Sequence, residues 1–191
     1  MSAVAMGPQY RGLGRSATKG RAIWWAHEHL ARRVEREWGA LAVIRPLHPL
    51  ETHDWLILRG ELWPDVSDDV HRAEMDVMLA DESRYAVFVA VDDRGDPAGF
   101  AEVSIRSHAE FCTSHPVGYL EGWFVREEHR GGGHGRGLVK AATAWAREKG
   151  CVEMASDSEL TNAASRAAHG AAGFEVVGEL VHYRRRIDLD S

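Results

Sequence analysis

The sequence predicts an α/β (α+β) fold: one mixed, mostly antiparallel sheet of six to seven strands around a parallel β-α-β core, with helices on both faces. Three observations carry this expectation. Apolar runs of strand length, Tyr85–Val91 and Ala98–Ile105, flank a turn at Asp92-Asp93-Arg94-Gly95-Asp96, which reads as a hairpin. A third apolar run, Val117–Val125, is separated from a fourth, Val152–Ser156, by a glycine-rich loop and a helical pattern ending near Lys149, the grammar of a parallel crossover. Helical patterns precede the hairpin and follow the crossover, so both faces of the sheet have something to cover them.

The elements follow in order. Leu41–Leu47 reads as the first strand, and His53–Leu62 as a helix stopped by Pro64. Ser67 is a candidate N-cap for a second helix reaching Leu79, with Asp68 and Asp69 placed to complement the dipole. The hairpin strands come next, then an irregular loop at Ser107–Pro116 and the strand Val117–Val125. After the crossover, Asn162–Ala171 reads as a helix with Gly173 at its C-terminal end. Phe174–Arg186 supplies one or two closing strands. Residues 41–191 thus form a single domain. Residues 1–40 are an extension: 1–22 lack periodicity and suit disorder, and 23–38 space Ile23, Leu30, Val34 and Trp38 for one face of a helix. The extension could be dispensable, an added packing helix, or translation from an upstream start codon.

Composition narrows the classes. Of 191 residues, 45% are apolar and 27% charged, ordinary for a globular domain, and no apolar run is long enough to span a bilayer. An Arg/Gly-rich N-terminus without an apolar core does not read as a secretory signal. The two cysteines, Cys112 and Cys151, make no disulfide framework, so free thiols in a cytoplasmic setting are expected. Residues 1–40 carry +4 and residues 41–191 carry −10. An acidic body repels nucleic acid and attracts cationic small molecules, or simply serves solubility, and no membrane partner is expected. His108, Cys112 and His115 match no zinc spacing, so no metal is expected.

The most informative stretch is Arg130-Gly131-Gly132-Gly133-His134-Gly135-Arg136-Gly137-Leu138, opening into a helix. Glycines let successive N–H groups converge, and the helix adds its unpaired N–H groups and positive dipole end. The result suits a pyrophosphate. A P-loop would need Lys-Ser or Lys-Thr after the last glycine, and G-x-G-x-x-G fits no frame. The spacing is R-x-x-G-x-G, Arg130 to Gly135, after an apolar strand.

That loop resembles the coenzyme A pyrophosphate loop of the GNAT acyltransferase superfamily. Tyr119-Leu120-Glu121-Gly122-Trp123-Phe124-Val125, Cys151 to Asp157, Leu62-Trp63-Pro64-Asp65, Ala168 to Phe174 and Tyr183-Arg184-Arg185 resemble its aminoglycoside 6′-N-acetyltransferase branch, over roughly Leu41 to Ile187. The resemblance implies acetyl-CoA as cosubstrate, a cationic aminoglycoside as acceptor, direct attack without a covalent enzyme intermediate, and a homodimer built through the closing strands. It implies that Phe124 and Val125 align the pantetheine arm, with the Val125 N–H facing the thioester oxygen. Arg130, Gly131, Gly132, Gly133, His134, Gly135 and Arg136 would surround the pyrophosphate. Asn162 matches a pantetheine contact, or is an ordinary helix cap.

Acetylating an amine requires a neutral nucleophile, a stabilised oxyanion and a proton acceptor. Glu121, a carboxylate within an apolar strand, and Asp157, at the end of the next strand, are the two catalytic candidates; either could be the base, and both would hold the amino sugar. Trp63, His71, Glu74 and Glu110 complete the candidate acceptor site, with Glu179 more remote. His169 stands where many superfamily members place a tyrosine acid, so the acid is unassigned. The alternatives are an acetyltransferase for a polyamine or other cationic amine, and an acyl-CoA-binding module without turnover.

Overall fold

The computed structural model describes residues 43–186. Their strands are β1 (Val43–Pro46), β2 (Tyr85–Val91), β3 (Pro97–Arg106), β4 (Val117–Val125) and β5 (Met154–Ser156), side by side in that order. The first three pairings are antiparallel and β4–β5 is parallel. The helices are α1 (Thr52–Leu62), α2 (Asp68–Ala80), α3 (His134–Glu148) and α4 (Ala163–Ala171). β2 and β4 lie where the apolar runs place them. The expected strand at Leu41–Leu47 is described from Val43 on, and the proposed helix at 23–38 falls outside the described residues.

Alternation along the strands builds two cores. One face sends Ala101, Val103 and Leu120 toward α3, whose Leu138, Ala142 and Trp145 are buried against them. The other sends Val87 and Phe100 toward α1 and α2, meeting Trp55, Leu58, Met75 and Met78. The helix ends follow local chemistry. Gly150 and Gly173 have φ of +88° and +93°, and the N–H of the next residue returns to the carbonyl of Ala146 or His169 in each case. In the hairpin turn, Asp92 Oδ1 accepts from the N–H groups of Arg94 (2.9 Å) and Asp96 (2.8 Å).

Glu51, just before α1, ties that helix to β1. Its carboxylate forms two 2.6 Å bonds with the Arg45 guanidinium and accepts from the His48 N–H at 3.0 Å. Arg45 holds the carboxyl below its ordinary value of 4.5, so this stabilisation is complete above that value and is lost as pH falls through the lowered one. Glu51→Gln should therefore lower stability at neutral pH and flatten part of the acid limb in urea titrations; an unchanged acid limb would refute the assignment.

One expectation is corrected. Among the described residues the sheet has five strands, and Phe174–Arg186 forms none. Val176, Val177, Leu180, Val181 and Tyr183 are exposed. An apolar pattern prepares a segment for pairing, but a strand also requires a neighbouring edge that takes its N–H and C=O groups.

Candidate active site

The glycines divide their labour. Gly131 and Gly133 have φ of +81° and +87°, a region that side chains rarely enter, and nothing lies within 4 Å of where a Cβ would project. Gly133 is also the N-cap of α3. Exposed, side-chain-free backbone thus sits at the positive end of a fifteen-residue helix. Gly135 and Gly137 serve packing instead: a Cβ would come 3.1 Å from the Trp123 ring and 2.9 Å from Ile44. Their absence of side chains lets α3 sit close on the sheet.

The basic residues around the loop are partly committed. Arg130 Nε donates to the Val125 carbonyl at 3.0 Å, closing the end of β4 onto the loop. His134 is buried, its Nδ1 3.1 Å from the His129 carbonyl, so its ring is committed to the loop itself. Arg136 is exposed.

Beside the loop, β4 and β5 separate. Their ladder ends at Leu120↔Ser156, and β4 runs on to Val125 paired only with β3. Arg126 N–H bonds the Ala98 carbonyl at 2.9 Å, so the antiparallel alternation turns the N–H groups of Trp123 and Val125 away from β3, to the open edge. The edge therefore offers backbone donors to an extended ligand arriving from the glycine loop.

The two candidate carboxylates differ in setting. Glu121 is the extra residue of a bulge, since Glu102 pairs with Gly122 and Val103 with Leu120. Its side chain is only 3% exposed. Arg106 grips both of its oxygens, at 3.0 and 2.6 Å, and the Ser104 hydroxyl donates to one. The Arg106 guanidinium also lies 3.3 Å from the Tyr119 ring centroid. Asp157 follows β5 at the mouth of the fork, is exposed, and makes no hydrogen bond or ion pair with a described residue. Burial and the negative charge of Asp157 push the Tyr119 phenol upward, which puts the two groups in one field.

Behind the fork, Ser156 and His169 form a pair that sequence reasoning missed. His169 Nδ1 lies 2.8 Å from the Ser165 carbonyl, which can only accept, so that nitrogen carries the proton. His169 Nε2 lies 2.9 Å from the Ser156 hydroxyl, which also reaches the Leu120 carbonyl at 3.2 Å. The ring is edge-on to Trp123 and Phe174. Asn162 acts as the N-cap of α4, its Oδ1 accepting from Ser165 N–H at 3.0 Å.

Three of the expected acceptor residues are turned inward. Trp63 is buried against Gly122, His71 accepts from Arg59 Nε at 3.3 Å with its ring only 1% exposed, and Glu74 is ion-paired to Arg59. Burial, then the neighbouring Arg59 charge, lowers the His71 pKa. Helical spacing identifies a face but not what that face meets. Glu74 also borders a groove of about 280 Å³ with Asp69, Val70, Val77 and Tyr85. Glu110 is exposed on the loop before β4, and Glu179 is exposed in the closing segment. Ser104, Arg106, Glu102 and Arg59 were not anticipated. The polar alternation Glu102-Ser104-Arg106 after Phe100 was the available signal for the first three.

A sheet that forks beside a glycine-lined helix start defines an acyl-CoA-dependent transferase architecture, and the profile of the Acetyltransferase (GNAT) family matches residues 47–174. The chain belongs to this family. It is 45% identical over 145 residues to an aminoglycoside N(6′)-acetyltransferase type 1 of Klebsiella aerogenes, covering 75% of this chain and 95% of the relative. The enzyme of that name in Stenotrophomonas maltophilia is 41% identical over 146 residues, 76% of this chain and 94% of the relative. Among solved structures, AAC(6′)-Iy in complex with the bisubstrate analogue CoA-S-monomethyl-acetylneamine matches with a TM-score of 0.72 and 38% identity, covering 76% of this chain and 99% of that one. Among the described residues no helix is long and apolar enough to cross a membrane, and no group of three His, Cys, Asp or Glu is gathered to hold a metal ion.

Proposed function

We infer that this chain transfers the acetyl group of acetyl-CoA to the 6′-amine of aminoglycosides, an activity that confers resistance to them. The open β4 edge beside the exposed Gly131–Gly133 backbone, with Asp157 at the mouth of the fork, is the observation that carries this reading. The similarity to the 6′-acetyltransferases supports the acceptor. The loop backbone from Gly131 to Gly135 and the start of α3 hold the pyrophosphate, with Arg130 and Arg136 adding charge. Phe124 and Val125 align the pantetheine arm. The Val125 N–H faces the thioester oxygen and stabilises it as the amine attacks. Nitrogen bonds to the acyl carbon, the carbon–sulfur bond breaks, and the departing thiolate needs little help, a thiol of this kind having a pKa near 8.5. The ammonium proton goes to Asp157, directly or through water, because Asp157 is exposed whereas Arg106 already occupies Glu121. Glu121 contributes negative charge beside the attacking amine. Thiol release separates the alternatives: turnover with a kanamycin-type acceptor and not with spermidine is expected. The reverse would make this a polyamine enzyme, and no turnover with either would leave an acyl-CoA-binding module.

We further propose a cytoplasmic homodimer in which the closing segment from Phe174 pairs across the interface, supported by the exposed Val176, Val177, Leu180 and Val181. Light scattering at assay concentration should give twice the 21.2 kDa chain mass; a monomer would refute it. Deleting residues 1–38 should leave kcat/KM within about threefold, since everything assigned to the site lies beyond them. Loss of soluble protein on deletion would show instead that the Ile23–Trp38 face packs on the domain.

A further inference from the structure

The densest buried charge in the described residues lies on the α1/α2 face of the sheet. Arg59 is 1% exposed and Glu102 wholly buried. Arg59 Nη1 donates to Glu102 Oε1 at 2.6 Å, Nη2 pairs with Glu74, and Trp55 Nε1 donates to the same Glu102 oxygen at 2.7 Å. Glu102 Oε2 is buried without a hydrogen-bond partner. Burial raises the pKa of both carboxyls, against the pull of Arg59.

Such a triad is a poor source of stability, because apolar residues of similar volume are often as stable or more so. What it secures is position. The Arg59 guanidinium lies 4.8 Å from the Trp63 ring centroid and 5.8 Å from that of Trp55. A Cβ on Gly122 would come 2.6 Å from Trp63 Cη2 and 3.3 Å from Glu102 Oε2. Gly122 is Glu102's partner in the ladder, and the bulge follows immediately, with Glu121 skipped. Glu121 and Gly122 therefore share the α1/α2 face, where Ser104 and Arg106 meet the Glu121 carboxylate. Trp63 and Glu102, two of the groups that Arg59 contacts, thus fill the space where a side chain on Gly122 would stand, next to the candidate catalytic carboxylate.

We propose that Glu102 and Arg59 are positioning residues for acetyl transfer, holding Trp63 and the Glu102 carboxylate against Gly122 and so fixing the bulge that aims Glu121. This rests on the acetyltransferase reading. Glu102→Gln keeps volume and one acceptor oxygen; Arg59→Met/Glu74→Leu/Glu102→Leu replaces the triad with apolar groups. Both variants should fold and bind CoA within about twofold of the unaltered protein, yet raise the aminoglycoside KM about tenfold. In a Glu121→Gln background, Glu102→Gln should cost less than about twofold, because its effect passes through Glu121. Amide hydrogen exchange at Glu121 and Gly122 should accelerate in both variants. An unchanged aminoglycoside KM, additive losses in the cycle, or unchanged exchange would overturn the proposal. If the triple variant fails to fold, Glu102→Gln decides alone, and if Glu102→Gln fails, the triple decides. Should the unaltered protein show no turnover, the acetyltransferase reading falls, while the exchange measurement still tests the bracing by itself.

Discussion

Asp157→Asn is expected to lower kcat for acetyl transfer by roughly a hundredfold or more, the usual cost of removing a general base. The substitution keeps size and polarity and removes a proton acceptor at an exposed position after β5, so stability should hardly change. Glu121→Gln should behave differently. It breaks the paired contacts with Arg106 and removes a negative charge from the acceptor side, raising the aminoglycoside KM through loss of a charge-assisted interaction of about 1.5–3 kcal/mol. In kcat/KM against pH, the acidic limb should flatten in Asp157→Asn and persist in Glu121→Gln. A reversed pattern would make Glu121 the base, and ordinary kinetics in both variants would remove carboxylate catalysis.

Gly133→Val should raise the acetyl-CoA KM at least about tenfold, the loss of one or two charge-assisted hydrogen bonds, with the aminoglycoside KM far less affected. Two effects act together. A β-branched residue is strained at φ +87°. Its side chain would also project into the open space where backbone N–H groups must approach phosphate. Calorimetry with CoA separates a misfolded variant from a specific one. Unchanged CoA affinity in a folded protein would remove the loop from the cosubstrate site.

How much of this was legible in sequence depended on whether the signal was local. β2 and β4 are apolar runs bounded by turn chemistry, and their limits coincide with the structure. The glycine loop announced itself through composition, although the contrast between Gly133, needed for its φ, and Gly137, needed for contact with Ile44, requires three dimensions. Charge pairing was illegible for the opposite reason. Arg59 looks in sequence like an ordinary charged helix residue, and its partner Glu102 stands 43 positions away. Trp63 offers an aromatic face for a cationic sugar and Glu74 a charge in the helical region over the sheet, yet the structure turns them toward Gly122 and Arg59. The Ser156–His169 pair spans a turn and a helix, and only the packing of α4 beside β5 creates it. The apolar residues after Phe174 carry a strand pattern, but the partner edge that a strand requires is no part of that pattern.

Matched acceptors test most directly whether the forked sheet delivers an acetyl group to a 6′-amine. Thiol release from acetyl-CoA would be followed with a kanamycin-type aminoglycoside carrying a 6′-amine and with its 6′-hydroxyl analogue, the acetylated position being read by NMR. Turnover of the first alone, with the acetyl group on the 6′-nitrogen, is the predicted result. Equal turnover of both, or acetylation at any other amine, would contradict it.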